Sequence, residues 1–274
     1  MKKPGKKKFE KNRPKFRTAK PKAAPKAPPI APPDVEGMRL NKYVAHCGIC
    51  SRRQAADHIK AGLVSVNGQV VKEPGYQVEK EDKVSFRGEL IHPEVRMVYI
   101  LMNKPKGVIT TLKDDRGRKT VMDLLRDKIK ERVFPVGRLD RDTSGLLVLT
   151  NDGALAKKMT HPSHKMKKFY QVTLDRPVTK ADLEKIRAGV ELDDGLAPVD
   201  GVDYVRNQGK DVVGIEIHIG RNRIVRRIFE HLGYEVKRLD RQYIGGLTKK
   251  DLPRGFWRHL TEQEIIMLKH FVGK

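Results

Sequence analysis

Four apolar residues, Leu146 to Leu149, stand between two turn signals, Thr143-Ser144-Gly145 before them and Asn151-Asp152-Gly153 after. A short apolar run bounded this way reads as a buried strand, so the chain must build a sheet around it. The loop entering that strand, Gly137-Arg138-Leu139-Asp140-Arg141-Asp142, sets the Asp140 carboxylate between two arginines. Neighbouring cations keep a carboxylate ionised at neutral pH. An ionised Asp suits a nucleophile or a base better than an acid. The same pattern also describes a structural ion pair, and local sequence leaves both readings open. Asp142, in the spacer before Thr143, reads as a turn residue.

The 274 residues suffice for one large domain or two modest ones with real cores. A formal net charge of +24 argues for a polyanionic partner, nucleic acid before anionic membrane. No stretch approaches the roughly 18 consecutive apolar residues of a membrane span. The basic N-terminus lacks the apolar segment of a secretory signal. Cys47 and Cys50 are too few for a disulfide framework, and no second Cys pair or His pair follows at zinc spacing. The expectation is a soluble, cytoplasmic, monomeric protein with no metal.

Residues 1–36 hold eight of the sixteen prolines among Lys, Arg and Ala. Such a segment buries too little to offset its ordering entropy and is expected to be disordered, either as a phosphate-seeking arm or as a solubilising tail. Beyond it, Leu40, Tyr43 and Val44 are spaced as one helix face. Ser51 and Gln54 make a capping box for a second helix reaching about Ala61. Val64 to Val71 is a hairpin about Asn67-Gly68, and Asp82 to Phe86 adds a strand.

Arg39-Leu-Asn-Lys-Tyr, Cys50-Ser-Arg-Arg-Gln-Ala-Ala and Ile59-Lys-Ala-Gly-Leu-Val-Ser-Val-Asn-Gly resemble the S4 RNA-binding module over about 38–90. On that resemblance Arg39, Lys42, Arg52, Arg53 and Lys60 form a phosphate-binding face, which positions a protein without reading sequence.

A second domain begins near residue 97. Val98 to Met102 reads as a strand, and Asn103-Lys104-Pro105-Lys106-Gly107 as a basic turn into another strand, Val108 to Thr110. Residues 113–119 read as a mobile loop, and Val121 to Leu125 as a helix. Helices follow over Ala154 to Met159 and from Thr179 to about Ala188. Lys165-Met-Lys-Lys168-Phe169-Tyr170 is a basic patch running into a strand; Tyr170 is either a base-stacking aromatic or a half-buried strand residue. Val212 to Ile219 alternates as a strand. The next helix carries the stripe Ile224, Val225, Ile228, Phe229 and Leu232. Its N-terminal end is crowded with Arg221, Arg223, Arg226 and Arg227, fit for a phosphate or for a carboxylate such as Asp140. Val236 to Leu239 is a short strand, and Thr261 with Glu264 caps a final helix to about Phe271. Without a βαβ rhythm, the class is α+β on a mixed, mainly antiparallel sheet with flanking helices.

Asn103-Lys-Pro-Lys-Gly-Val-Ile-Thr, the 137–153 stretch, Lys168-Phe-Tyr170 and Gly220-Arg-Asn-Arg-Ile-Val-Arg-Arg-Ile-Phe together resemble the pseudouridine synthases, in the branch that modifies ribosomal RNA and carries an N-terminal S4 domain. Tyr243-Ile-Gly-Gly-Leu and Asp251-Leu-Pro-Arg-Gly-Phe-Trp257-Arg258 are similar to that branch's C-terminal signature. The resemblance implies a tail over 1–36, an αL-type S4 domain over 37–96 and a catalytic domain over 97–274. It implies conversion of a specific ribosomal RNA uridine to pseudouridine without cofactor, with large-subunit RNA ahead of small-subunit RNA. The target is flipped from its stack. Asp140 then attacks the ribose C1′ or the uracil ring, Tyr170 lies on the base and assists removal of the C5 proton, and Arg226 pairs with Asp140. Arg138 helps hold the flipped nucleotide, and Lys168, Arg223 and Arg227 contribute to the RNA surface. Ile224 stands where related sequences often carry Gln. The rival expectation, a non-catalytic S4-type assembly factor, predicts loss of Asp140, Tyr170 or Arg226, and all three are present.

If residues 1–36 act as a phosphate-seeking arm, a chain beginning at residue 37 binds RNA more weakly, with a shallower dependence of log affinity on log salt. Filter binding across a salt series measures the slope; an unchanged slope makes the segment a bystander.

Overall fold

The computed structural model describes residues 35–93, 96–125 and 128–271. The tail expected to be disordered lies outside the described residues apart from its last two. Short strand β1 (Met38–Arg39) leads into α1 (Leu40–His46), and α2 (Arg52–Lys60) follows. The expected capping box is present: the Gln54 amide donates to Ser51 Oγ and the Ser51 amide to Gln54 Oε1. Strands β2 (Val64–Val66), β3 (Gln69–Val70), β4 (Gln77–Val78), β5 (Val84–Phe86) and β6 (Glu89–Leu90) complete this part. The β2–β3 turn needs two left-handed residues, and Asn67 and Gly68 supply them at φ 52° and 82°. Leu40, Tyr43 and Val44 from α1 and Ala55 and Ile59 from α2 share one core with Val64, Val66 and Val84.

The larger part is built on one twisted sheet. Its strands are β7 (Tyr99–Lys104), β8 (Phe134–Pro135), β9 (Ser144–Thr150), β10 (Lys168–Leu174), β13 (Gly201–Tyr204), β14 (Val212–Ile217), β15 (Val236–Ile244), β16 (Leu247–Thr248) and β17 (Trp257–His259), with the hairpin β11 (Val190–Leu192) and β12 (Gly195–Ala197) set apart. Among the described residues the order is β13-β14-β10-β15-β9-β7-β17, with β16 on β15 and β8 on β9. Among the described strands of this sheet only β9 and β15 pair in parallel, so the sheet is mixed and mainly antiparallel, as expected. Helices α3 (Gly153–Thr160), α4 (Lys180–Ala188), α5 (Ile224–His231) and α6 (Glu262–Phe271) flank it.

Every residue of β9 is buried, because the sheet is covered on both faces. Leu147 and Leu149 enter the core shared with α4 and α5; Leu146 and Val148 enter the opposite core, with Leu155, Met159 and Leu268. Among the described residues, no helix is long and apolar enough to cross a membrane.

Four local expectations change. Val108 to Thr110 forms a single bridge, Ile109 to Thr120, rather than a strand, because Thr110 is turned to hold the Leu139 backbone. Val121 to Leu125 makes only a 3-10 turn at Met122–Leu124. The 113–119 excursion is a tied turn, with Asp114 accepting from the Arg118 amide and guanidinium. Strand β15 runs on to Ile244, well past Leu239, since its later residues pair with both β10 and β9.

The parallel β9–β15 contact tolerates no side chain at Gly145. There φ is +120°, and a Cβ would meet the Arg241 backbone N and O at 2.4 Å. Gly145→Ala is expected to destabilise the protein by about 3 kcal/mol through overpacking and backbone strain. Urea unfolding measures it; an unchanged midpoint contradicts this close approach.

Candidate active site

The loop from Gly137 to Thr143 is pinned from beneath. Lys104, at the end of β7, is fully buried, and its Nζ donates to the carbonyls of Asp140 at 3.0 Å, Thr143 at 2.7 Å and Pro105 at 3.2 Å. Thr110 Oγ1 donates to the Leu139 carbonyl at 2.7 Å, and the Gly107 amide donates to that of Arg141 at 2.8 Å. Burial, before any charge effect, lowers the Lys104 pKa to about 8. The backbone of Asp140 is thus held by an interior cation while its side chain, 39% exposed, stays accessible.

The cation facing this loop is Arg226, in the first turn of α5, as expected; its partner is not. Arg226 Nη2 lies 2.7 Å from Asp142 Oδ2 and also donates to the Asp142 carbonyl, while Nη1 donates to Val236 O at 2.9 Å. The cation nearest Asp140 is Arg223, with Nη1 3.9 Å from Oδ2 and equally far from Asp142 Oδ1. Asp142 is therefore more than a turn residue. The turn closed by the Thr143 amide on the Asp140 carbonyl presents both carboxylates to α5, and Arg226 grips the side chain and peptide of Asp142 together. Sequence spacing could not tell which of two carboxylates two residues apart would take the buried guanidinium. Arg227 points elsewhere: it pairs with Asp193 and Asp194 of the β11–β12 hairpin and holds the Asp194 carboxyl down to about 2. Its guanidinium is committed to these two exposed carboxylates at the protein surface.

A cavity of about 270 Å³ opens beside Asp140. Arg138 and Arg223 lie exposed on its rim, and Arg221 is half-buried there, held by Asp194 and the Gly195 carbonyl. Tyr170, 8% exposed, forms one wall, and Ile224 is buried in another. Lys168 is less free than a surface contact would be. Its Nζ donates to His218 O at 2.8 Å and Ile219 O at 3.3 Å, and burial first, then the Arg241 charge, lowers its pKa to about 8. It shapes the cavity wall.

Lys104 and Arg241 escaped the sequence reading. Lys104 sat within an apparent basic turn; its signal was only a lysine closing an apolar strand. Arg241 is buried because it shares the inward period of Leu239 on β15, a register invisible once the strand is stopped at Leu239.

On the S4 part, Arg39, Arg52, Arg53 and Lys60 are exposed and Lys42 half-buried. Arg53 and Lys60, seven residues apart on α2, share a face. Lys42 and Arg52 both act on His46, whose pKa is lowered by burial first and then by Lys42. Burial pushes the Cys47 thiol up to about 12, so this cysteine is a packed thiol.

Family comparisons agree with this architecture. The RNA pseudouridylate synthase model matches residues 98–231 and the S4 domain model residues 38–84. An uncharacterized RNA pseudouridine synthase of Aquifex aeolicus is 42% identical over 86% of this chain and 95% of its own length. Ribosomal large subunit pseudouridine synthase B of Bacillus subtilis is 41% identical over 84% of this chain and 95% of its own length. The dual-specificity RNA pseudouridine synthase RluF of Escherichia coli is 40% identical over 84% of this chain and 78% of its own length. A crystal structure of a pseudouridylate synthase superposes with a TM-score of 0.60 at 31% identity, covering 84% of this chain and 99% of that one. A sheet enzyme with an RNA-binding module and a basic, carboxylate-bearing cavity is thus placed in a class. The chain belongs to the RNA pseudouridylate synthase family, in the group with an N-terminal S4 domain.

Lys104→Met leaves three carbonyls without their donor and is expected to destabilise by on the order of 3 kcal/mol at pH 7. The lysine titrates near 8 when folded and near 10.5 when unfolded. Below pH 8 it is charged in both states. From pH 8 to 10.5 the unfolded chain holds more protons, so this group's contribution to stability rises with pH. The wild-type advantage over Lys104→Met, from urea unfolding, should therefore widen across that window; a constant or shrinking difference overturns the assignment.

Proposed function

We propose that this protein converts a uridine of ribosomal RNA, large-subunit RNA before small-subunit RNA, into pseudouridine, with Asp140 as the nucleophile. The observation that carries the reading is the Asp140 carboxylate, held on a pinned loop at the mouth of a cavity walled by Tyr170 and rimmed by arginines. The large-subunit preference draws on the Bacillus subtilis relative's name.

The rim arginines neutralise phosphates while the base leaves its stack and enters the cavity. Asp140 attacks either the ribose C1′ or the uracil ring. The C1′–N1 bond breaks, the base turns, and a C1′–C5 bond forms. The C5 proton leaves, Tyr170 assisting, and a proton is gained at N1, so the product is an isomer. Arg226 fixes Asp142 and with it the loop, and Arg223 is the cation beside the nucleophile. The S4 domain, through Arg39, Lys42, Arg52, Arg53 and Lys60, docks the RNA, and the protein works as a monomer.

Asp140→Asn keeps the shape and removes the nucleophile. It is expected to abolish pseudouridine formation, with RNA affinity retained within about threefold. Pseudouridine mapping on ribosomal RNA from a strain lacking the protein, complemented with either form, identifies the position. Normal modification by the Asn form would falsify the nucleophilic role.

A further inference from the structure

Beside Tyr170 in the lining of the Asp140 cavity lies a buried cation that has no counterion among the described residues. Arg241 is 3% exposed. Its Nε donates to the Leu146 carbonyl at 2.7 Å and its Nη1 to the Tyr170 hydroxyl at 3.3 Å, while Nη2 is buried with no partner. The adjacent carboxylate, Asp240, is committed to Lys249, Arg254, Ser144 and Gln242. An interior charge left unpaired is expensive unless something it serves is itself negative.

Its placement is built by the sheet. Arg241 stands opposite Tyr170 across the β10–β15 pairing and opposite Gly145 across the β9–β15 pairing. The β10–β15 register slips between Phe169 and Tyr170, a bulge of the kind that re-aims a side chain. On the other side, Gly145 has no side chain to keep the Arg241 backbone away. The charge is felt locally: after burial, Arg241 is the next cause lowering the pKa of Lys168.

Hydrogen-bond arithmetic then assigns a direction. A guanidinium has donors only, so the Tyr170 oxygen must accept from Arg241. The tyrosine's own proton cannot point back at the arginine; it is left for whatever fills the cavity that Tyr170 lines.

We propose that Arg241 is a positioning residue that orients the Tyr170 hydroxyl as a proton donor to the flipped pyrimidine, so that the two together stabilise the negative charge the pyrimidine carries during isomerisation. This rests on the reading of Asp140 as nucleophile. Either mode of attack produces that charge. Displacement at C1′ sends the C1′–N1 electron pair onto the base; addition to the ring sends a pair onto a ring carbonyl. The Tyr170 proton passes to the anionic base, and the phenolate left behind faces Arg241. After C1′ bonds to C5, that oxygen takes the C5 proton. The base has gained one proton and lost one, and the tyrosine ends as it began. A chain of polarised hydrogen bonds backed by a fixed cation acts this way where charge develops.

The test is a double-mutant cycle with Arg241→Gln, Arg241→Lys and Tyr170→Phe, read in single-turnover reactions on transcribed ribosomal RNA labelled with tritium at uridine C5, with RNA affinity measured separately. Arg241→Gln is expected to slow tritium release about 10²-fold with affinity changed less than about threefold. Arg241→Lys recovers part of the rate. In the Tyr170→Phe background neither arginine change slows the reaction further, because the arginine acts through the hydroxyl. Should Arg241→Gln fail to fold, Arg241→Lys carries the same comparison. Additive losses, or a loss confined to affinity, overturn the relay while an active wild type leaves the Asp140 reading standing. A wild type that isomerises no uridine overturns both.

Discussion

The Lys104 ammonium sits in the interior with three backbone carbonyls around it. Carbonyl dipoles solvate a charge less well than water does, which is why its pKa falls to about 8. What the arrangement gains is geometry. One side chain ties the end of β7 to both ends of the turn that carries Asp140 and Thr143. Without it, the loop between β8 and β9 would hold Asp140 only through Thr110, Gly107 and the Arg226 grip on Asp142. Catalytic groups on loops need such support, because small displacements of a nucleophile cost large factors in rate.

Around that fixed point the charges fall into two sets with different jobs. Arg226 and Arg227 are neighbours in sequence, yet one enters the protein toward Asp142 and the other joins Asp193 and Asp194 across the β11–β12 hairpin. These pairs lock α5 to its surroundings. Arg138 and Arg223 stay at the rim, where a phosphate can reach them, while Arg221 beside them is held by Asp194 and the Gly195 carbonyl. Arg241 and Lys168 lie deeper and are held by carbonyls and a phenol. The cavity is thus positive both at its mouth and in its inner wall, as a polyanion carrying a base to be rearranged requires.

Much of the site was legible because its signals are local. The turn residues around β9, the capping boxes at Ser51 and Thr261, and the Asn67-Gly68 hairpin each depend on residues within a few positions. Asp140, Tyr170 and Arg226 could be singled out through ordered motifs that resemble a known family. Two of the readings that failed needed long-range pairing. Val108 to Thr110 has strand-like residues but no partner strand beyond Thr120, and β15 is long only because β9 and β10 flank it.

The sequence by itself determined that a buried strand follows a carboxylate-bearing loop, that helix–helix–hairpin and sheet parts succeed one another, and that the charge excess seeks a polyanion. Those properties follow from periodicity, turn chemistry and composition, which act over short stretches. Only the tertiary structure decided that Arg226 takes Asp142, that Lys104 lies beneath Asp140, and that Arg241 stands beside Tyr170. Each joins residues 36 to 84 positions apart. Such contacts are chosen by which strands align and how closely their backbones approach, as at Gly145, and no local pattern encodes that choice.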